Sequence, residues 1–99
     1  MLARNHATRR GEVDLVCRDG EVLCFVEVRS RGPGHRGGPE ETVGPAKARR
    51  VVAAATDWAV RNGGLDREIR FDVVAVRTGG DGPTLELIPG AFDAEGRAT

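Results

Sequence analysis

Polar and apolar residues alternate with period two over residues 12–17 (Glu-Val-Asp-Leu-Val-Cys) and almost as regularly over 22–31 (Val-Leu-Cys-Phe-Val-Glu-Val-Arg-Ser-Arg). This is the pattern of half-buried strands. Asp19-Gly20 lies between the two runs. An Asp-Gly pair flanked by alternating apolar residues predicts a tight hairpin whose two loop positions have positive φ. Residues 1–8 read as extended or weakly stranded, and the Gly- and Pro-rich stretch 32–41 reads as a loop beside the hairpin. Gly44-Pro45 predicts a helix start, because proline at the first helical position has no hydrogen bond to lose. Ala48, Val51, Val52, Ala55, Trp58 and Ala59 then recur at helical spacing as one apolar stripe, with Lys47, Arg50, Asp57 and Arg61 off it, until Asn62-Gly63-Gly64 ends the helix. Residues 69–77 form a more continuous apolar run, expected to be a buried strand, and residues 84–88 a short last strand at an edge. Hairpin, helix and buried strand in this order imply an α/β fold, a mixed β-sheet with a crossover helix, in a single domain spanning 1–99.

With Asp19-Gly20 as the loop, Arg18 faces Glu21, Val16 faces Leu23, Asp14 faces Phe25 and Glu12 faces Glu27. Residues directly opposed share a face. One face then holds Val13, Leu15, Cys17, Val22, Cys24, Val26 and Val28 with no polar group, and the helix stripe is its expected cover. The other begins with Val16, Leu23 and Phe25 and ends with Glu12, Asp14, Glu27 and Arg29. In this register Asp14 and Glu27 are diagonal neighbours, roughly 7–8 Å apart. Like charges across a strand pair are unfavourable, so these acids call for a cation. Mg²⁺ takes oxygen ligands and uses one or two carboxylates with waters and substrate phosphate. Asp14 and Glu27 suit that ion; the other reading is a solvated face neutralised by Arg29 and further arginines. Asp72 either pairs with an arginine or joins the acidic cluster, and the structural role is favoured.

The chain has 99 residues, 39% hydrophobic and 30% charged, the composition of an ordinary globular domain. Its formal net charge is +0, yet residues 1–50 carry ten basic against seven acidic residues, and residues 51–99 five against eight. Neutrality therefore conceals a basic first half. Lys47 is the only lysine. No apolar run is long enough to span a membrane and the N-terminus lacks a signal-peptide core, so a cytoplasmic location is expected. Cys17 and Cys24 form no metal-binding spacing and, as a diagonal pair, lie beyond disulfide reach. His6 and His35 are too far apart in sequence to suggest zinc.

Three sequence blocks resemble one known family: Arg10-Gly11-Glu12-Val13-Asp14-Leu15-Val16, Phe25-Val26-Glu27-Val28-Arg29-Ser30-Arg31, and Arg70-Phe71-Asp72-Val73-Val74. With Gly37-Gly38-Pro39-Glu40-Glu41, Lys47 and Ala91-Phe92 in the same order, they resemble the YraN-type family of predicted bacterial endonucleases. That family is placed in the PD-(D/E)XK nuclease superfamily, near the archaeal Holliday-junction resolvases. The resemblance implies a restriction-endonuclease-like fold and a Mg²⁺- (or Mn²⁺-) dependent endonuclease that hydrolyses phosphodiester bonds in structured or branched DNA. It makes Asp14, Glu27 and the backbone carbonyl of Val28 the metal ligands and Glu12 an accessory acid. Where the superfamily has lysine, this chain has Arg29, which stays protonated and cannot act as a general base but can hold phosphate. Lys47 is the candidate to supply the missing ammonium. Family members also begin with a glutamate-containing helix ahead of the segment matching Leu2-Ala3-Arg4-Asn5. Its absence from these 99 residues would expose one side of the sheet and remove an acid.

Arg9, Arg10, Arg31, Arg36, Lys47 and Arg50 come from segments able to converge on the acidic end of the hairpin, giving phosphate contacts without sequence reading. With no Tyr, three Phe and one Trp, a stacking platform for single strands is not expected, which favours duplex or branched DNA. Three readings follow: a nuclease, a catalytically weak or inactive nucleic-acid-binding module of the same fold, and an interaction domain with a merely solvated acidic face. A homodimer is suggested by the resolvase analogy alone.

Overall fold

A computed structural model describes residues 1–31 and 43–99, with backbone alone for Arg31. Five strands, β1 (Ala3–Thr8), β2 (Gly11–Asp19), β3 (Val22–Arg31), β4 (Ile69–Arg77) and β5 (Thr84–Phe92), and one helix, α1 (Pro45–Asn62), make up its regular structure. The strands form a single sheet in the order β1-β2-β3-β4-β5. Only β3 and β4 are parallel, joined through α1; the other neighbours are antiparallel. This is the expected mixed α/β sheet with a crossover helix. Among the described residues no helix is long and apolar enough to cross a membrane. The Gly-rich stretch 32–41, with Arg36, lies outside the described residues.

The helix begins and ends where its signals stand. Gly44 is extended, Pro45 occupies the first turn, and Gly63 takes the left-handed conformation with its N–H donating to the Ala59 carbonyl. Its buried residues are Ala48, Val51, Ala54, Ala55 and Ala59, all but one of them alanine. Short side chains let the helix axis approach the sheet closely, and α1 lies chiefly over β2. At Gly11 the approach is extreme: a Cβ there would stand 2.1 Å from the Arg50 backbone oxygen.

Four sequence expectations need correction. The hairpin register differs by two residues: Asp19 pairs with Val22, Val16 with Phe25 and Leu15 with Val26, so the loop is Gly20-Glu21 rather than Asp19-Gly20. Gly20 alone supplies the positive φ, at the first loop position where a type II′ turn carries its glycine. Asp19 stays in the ladder, where its carboxylate accepts from Arg70 at 3.2 Å. A two-residue shift preserves which face each side chain occupies, but it changes partners. In this register Glu12 no longer falls opposite Glu27, and Cys17 is directly opposed to Cys24, not diagonal to it. Both cysteines are free thiols.

The helix also covers the other face from the one expected. The core joins Val16, Leu23 and Phe25 to Ala48, Val51, Ala54, Ala55 and Ala59 and to Phe71, Val73 and Phe92. The reason is aromatic bulk. Phe25, Phe71 and Phe92 form a row with centroids 6.0 and 5.2 Å apart, and Trp58 meets Phe25 edge-on at 6.0 Å. Each such pair is worth about 0.5–1.5 kcal/mol beyond its buried area, so this row, with the acids at its end, packs under α1. On the far face Val28, Val74 and Leu87 follow one another across the sheet, and Val28 and Leu87 are exposed. The last strand is longer than expected, reaching Phe92, and does occupy the edge.

Strict alternation puts Val13 on one face with Leu15, opposite Val16, yet Val13 is fully buried in the helix-side core together with Val16. Two residues three apart cannot share a face in a regular strand. The irregularity lies at Asp14, opposite Asn5, which has φ 54°, a conformation asparagine tolerates better than most residues.

Gly11→Ala is expected to cost at least about 1–3 kcal/mol, because helix backbone must move to admit the methyl group. In thermal unfolding that reads as a Tm lowered by roughly 4 °C or more for a chain of this size.

Candidate functional site

Glu27 lies at the seam between sheet and helix. It is 2% exposed, and α1 presents Lys47 to it, with Nζ 3.1 Å from Glu27 Oε2. The other carboxylate oxygen, Oε1, is buried and has no hydrogen-bond partner among the described residues. A buried acceptor left unpaired is costly. Burial is the main cause pushing the Glu27 carboxyl above its ordinary range. The neighbouring Asp14 carboxylate adds to the rise, and the Lys47 ammonium opposes it.

Asp14 is half-buried and anchored, its Oδ2 accepting the Val28 backbone N–H at 2.8 Å. That bond replaces a ladder hydrogen bond where β2 and β3 begin to part. The Asp14 carboxylate also stands within hydrogen-bonding reach of the Glu27 carboxyl, which favours a proton held on Glu27. The two carboxylates that periodicity and resemblance singled out are thus brought together, one from each strand, with Val28 adjacent and Lys47 above. Arg29, half-buried, follows Glu27 by two residues and therefore shares its face.

Other candidates are placed apart. Glu12 is exposed and lines a cleft of about 220 Å³ with Arg9, Arg10 and Arg50. Among the described residues no group of three or more His, Cys, Asp or Glu is arranged to hold a metal. Asp72 lies in register with Val26, on the opposite face from Glu27. There it receives Arg70 through two hydrogen bonds of 2.8 and 3.0 Å and the Gly90 N–H at 3.0 Å. Its role is structural: it ties β4 to β5. The side chains of Arg31 and Arg36 lie outside the described residues.

One cluster had no signal in the sequence. His6 Nε2 lies 2.8 Å from Asp57 Oδ2, joining β1 to α1, and Arg61 Nε meets the same oxygen at 2.9 Å. The His6 hydrogen bond, with Arg61 alongside, holds the Asp57 carboxyl below the usual range, so it is ionised at neutral pH and Nε2 carries the shared proton. His6 and Asp57 are 51 positions apart, and no local spacing could have linked them.

A carboxyl whose pKa is raised by folding binds its proton more tightly in the native state, so its contribution to stability falls as pH rises past the ordinary carboxylate range. Glu27→Gln should therefore match the wild-type Tm near pH 4 and exceed it increasingly toward pH 7.5. Thermal melts across that range, in the presence of a chelator, measure the difference.

Comparisons with known proteins give one family. The model of the uncharacterised protein family UPF0102 matches residues 1–76. A UPF0102 protein of Anaeromyxobacter sp. (strain Fw109-5) is 71% identical over 97 residues, covering 98% of this chain and 73% of the relative. One from Geobacter metallireducens is 42% identical over 93 residues, covering 94% and 76%, and one from Myxococcus xanthus 44% identical over 91 residues, covering 92% and 72%. The chain belongs to the UPF0102 family, the YraN-type family that its sequence blocks resemble.

Proposed function

We propose that this protein is a divalent-cation-dependent endonuclease acting on duplex or branched DNA. The observation that carries the reading is the buried Oε1 of Glu27, which has no hydrogen-bond donor among the described residues, beside the Asp14 carboxylate. A buried acceptor without a donor calls for a partner, and a cation can serve two adjacent carboxylates at once. Mg²⁺ or Mn²⁺ suits two carboxylates, a backbone carbonyl and water. Asp14, Glu27 and the Val28 carbonyl would hold it. When bound, such an ion polarises a phosphoryl oxygen and makes water a stronger nucleophile.

The remaining roles belong to the chain's own cations. Lys47, 38% exposed and tethered by Glu27, can extend its ammonium to a phosphate oxygen without leaving the site. Arg29 holds phosphate from the same face and, being permanently protonated, takes no proton from water. A phosphodiester positioned between these two has charge stabilisation on the side away from the carboxylates. Arg9, Arg10 and Arg50 have no ion-pair partner among the described residues and are available to neighbouring phosphates.

Three measurements test this reading. Mn²⁺ should bind the full chain, and Asp14→Asn should abolish the binding. With Mg²⁺, branched DNA should be cut, and Glu27→Ala should bring cleavage to background; activity surviving in that variant would refute the assignment. Lys47→Met should lower the rate about 10²–10³-fold, the usual effect of removing a donor that stabilises transition-state charge. If Mn²⁺ binds and DNA binds but no cleavage occurs, the protein is the non-catalytic binding module that Arg29 would allow.

A further inference from the structure

The His6–Asp57–Arg61 cluster opens onto a cleft of about 680 Å³ between β1 and α1, lined also by Arg9 and Arg10. The smaller cleft holding Arg50 and Glu12 adjoins it and shares the Ala7–Arg10 turn. Together the two clefts contain four guanidiniums against the carboxylates of Asp57 and Glu12, a surplus of two positive charges among these six groups. Among the described residues no aromatic side chain lines either cleft apart from His6, which is engaged with Asp57, so these residues offer charge for phosphates and no platform on which bases could stack.

The helix supplies the alignment. Lys47, Arg50, Asp57 and Arg61 are separated by 3, 7 and 4 residues and fall within one stripe along α1. From Lys47 to Arg61 that stripe runs roughly 21 Å at about 1.5 Å per residue. That length is on the scale of several consecutive phosphates of one DNA strand. Asp57 also orients Arg61. It takes the guanidinium by its Nε edge, leaving both terminal nitrogens, the fork that grips phosphate bidentately, without a partner among the described residues.

We propose that the seam between β1 and α1 is the docking track for one backbone of duplex DNA. Arg61, Arg9, Arg10 and Arg50 take successive phosphates and guide the strand toward Asp14 and Glu27. The His6–Asp57 pair is the brace that holds β1 to the helix and Arg61 in its gripping orientation. The assignment rests on the nuclease reading for its partner, and duplex binding without metal tests it separately.

Binding of a fluorescently labelled short duplex to the full chain, in EDTA and across a salt series, gives the readout. Arg61→Gln should weaken binding by up to about eightfold near 0.1 M salt and lower the log–log salt slope by about one, as expected for one lost phosphate contact. Arg61→Lys should restore most of the slope. Arg9→Gln with Arg10→Gln should lower the slope by about two. Arg18→Gln, at the hairpin end of β2, should leave affinity unchanged. Arg61 is 70% exposed in its side chain, so its replacement leaves the fold intact, verifiable by an unchanged melt. Wild-type affinity and slope in Arg61→Gln, or no duplex binding by the wild type, would overturn the track. Competition by inorganic phosphate alone, with no duplex binding, would mean a simple anion site and overturn it too. Weakened binding in these variants without cleavage by the wild type would keep the track and refute the nuclease.

Discussion

Helix and sheet meet closely where the Arg50 carbonyl stands against Gly11, in space that any Cβ would need. Four buried alanines along the inner face of α1 continue that approach toward the helix C-terminus. Everything of chemical interest depends on this narrow gap. It brings the Lys47 ammonium down to Glu27, and it sets the Arg9–Arg10 turn beside Arg50. It also lets His6 on the outermost strand reach Asp57 on the helix. A bulkier seam would lift α1 away and dissolve these contacts together, although none of them lies within the core.

The core itself is ordinary, a row of three phenylalanines capped by Trp58 and covered by alanine and valine. What departs from ordinary packing is the continuation of that covered face into Asp14 and Glu27. A strand face that begins with Phe25 and ends with a buried carboxylate lowers stability at neutral pH. The fold accepts this at one point, where two acids from adjoining strands face a lysine. Asp72 shows the contrast. It is equally buried, yet both its oxygens are satisfied by Arg70 and Gly90, and it therefore acts as a tie and has no free chemistry.

Much of the fold was legible because the relevant signals are local. Pro45 and Gly63 mark the helix by backbone conformation, and the apolar run at 69–77 coincides with β4. The candidate carboxylates were legible too, since a period of two puts Asp14 and Glu27 on one face in either register. The register itself was not. Asp19-Gly20 and Gly20-Glu21 are both credible two-residue loops, and the choice is settled by where Gly20 must take positive φ and by Arg70 drawing Asp19 into the ladder. Nor could alternation foresee its own interruption at Asp14, where Asn5 on the neighbouring strand adopts a left-handed conformation.

By itself the sequence determined the elements, their order, the family and the residue types available for chemistry, because these follow from short-range periodicity, turn geometry and motif spacing. Tertiary structure alone decided which sheet face lies beneath the helix, that Glu12 stands apart from Asp14 and Glu27, and that Lys47 closes over the pair. It alone joined His6 to Asp57 and Arg61. These outcomes depend on contacts between residues tens of positions apart, and their energies appear only when helix and sheet are packed together.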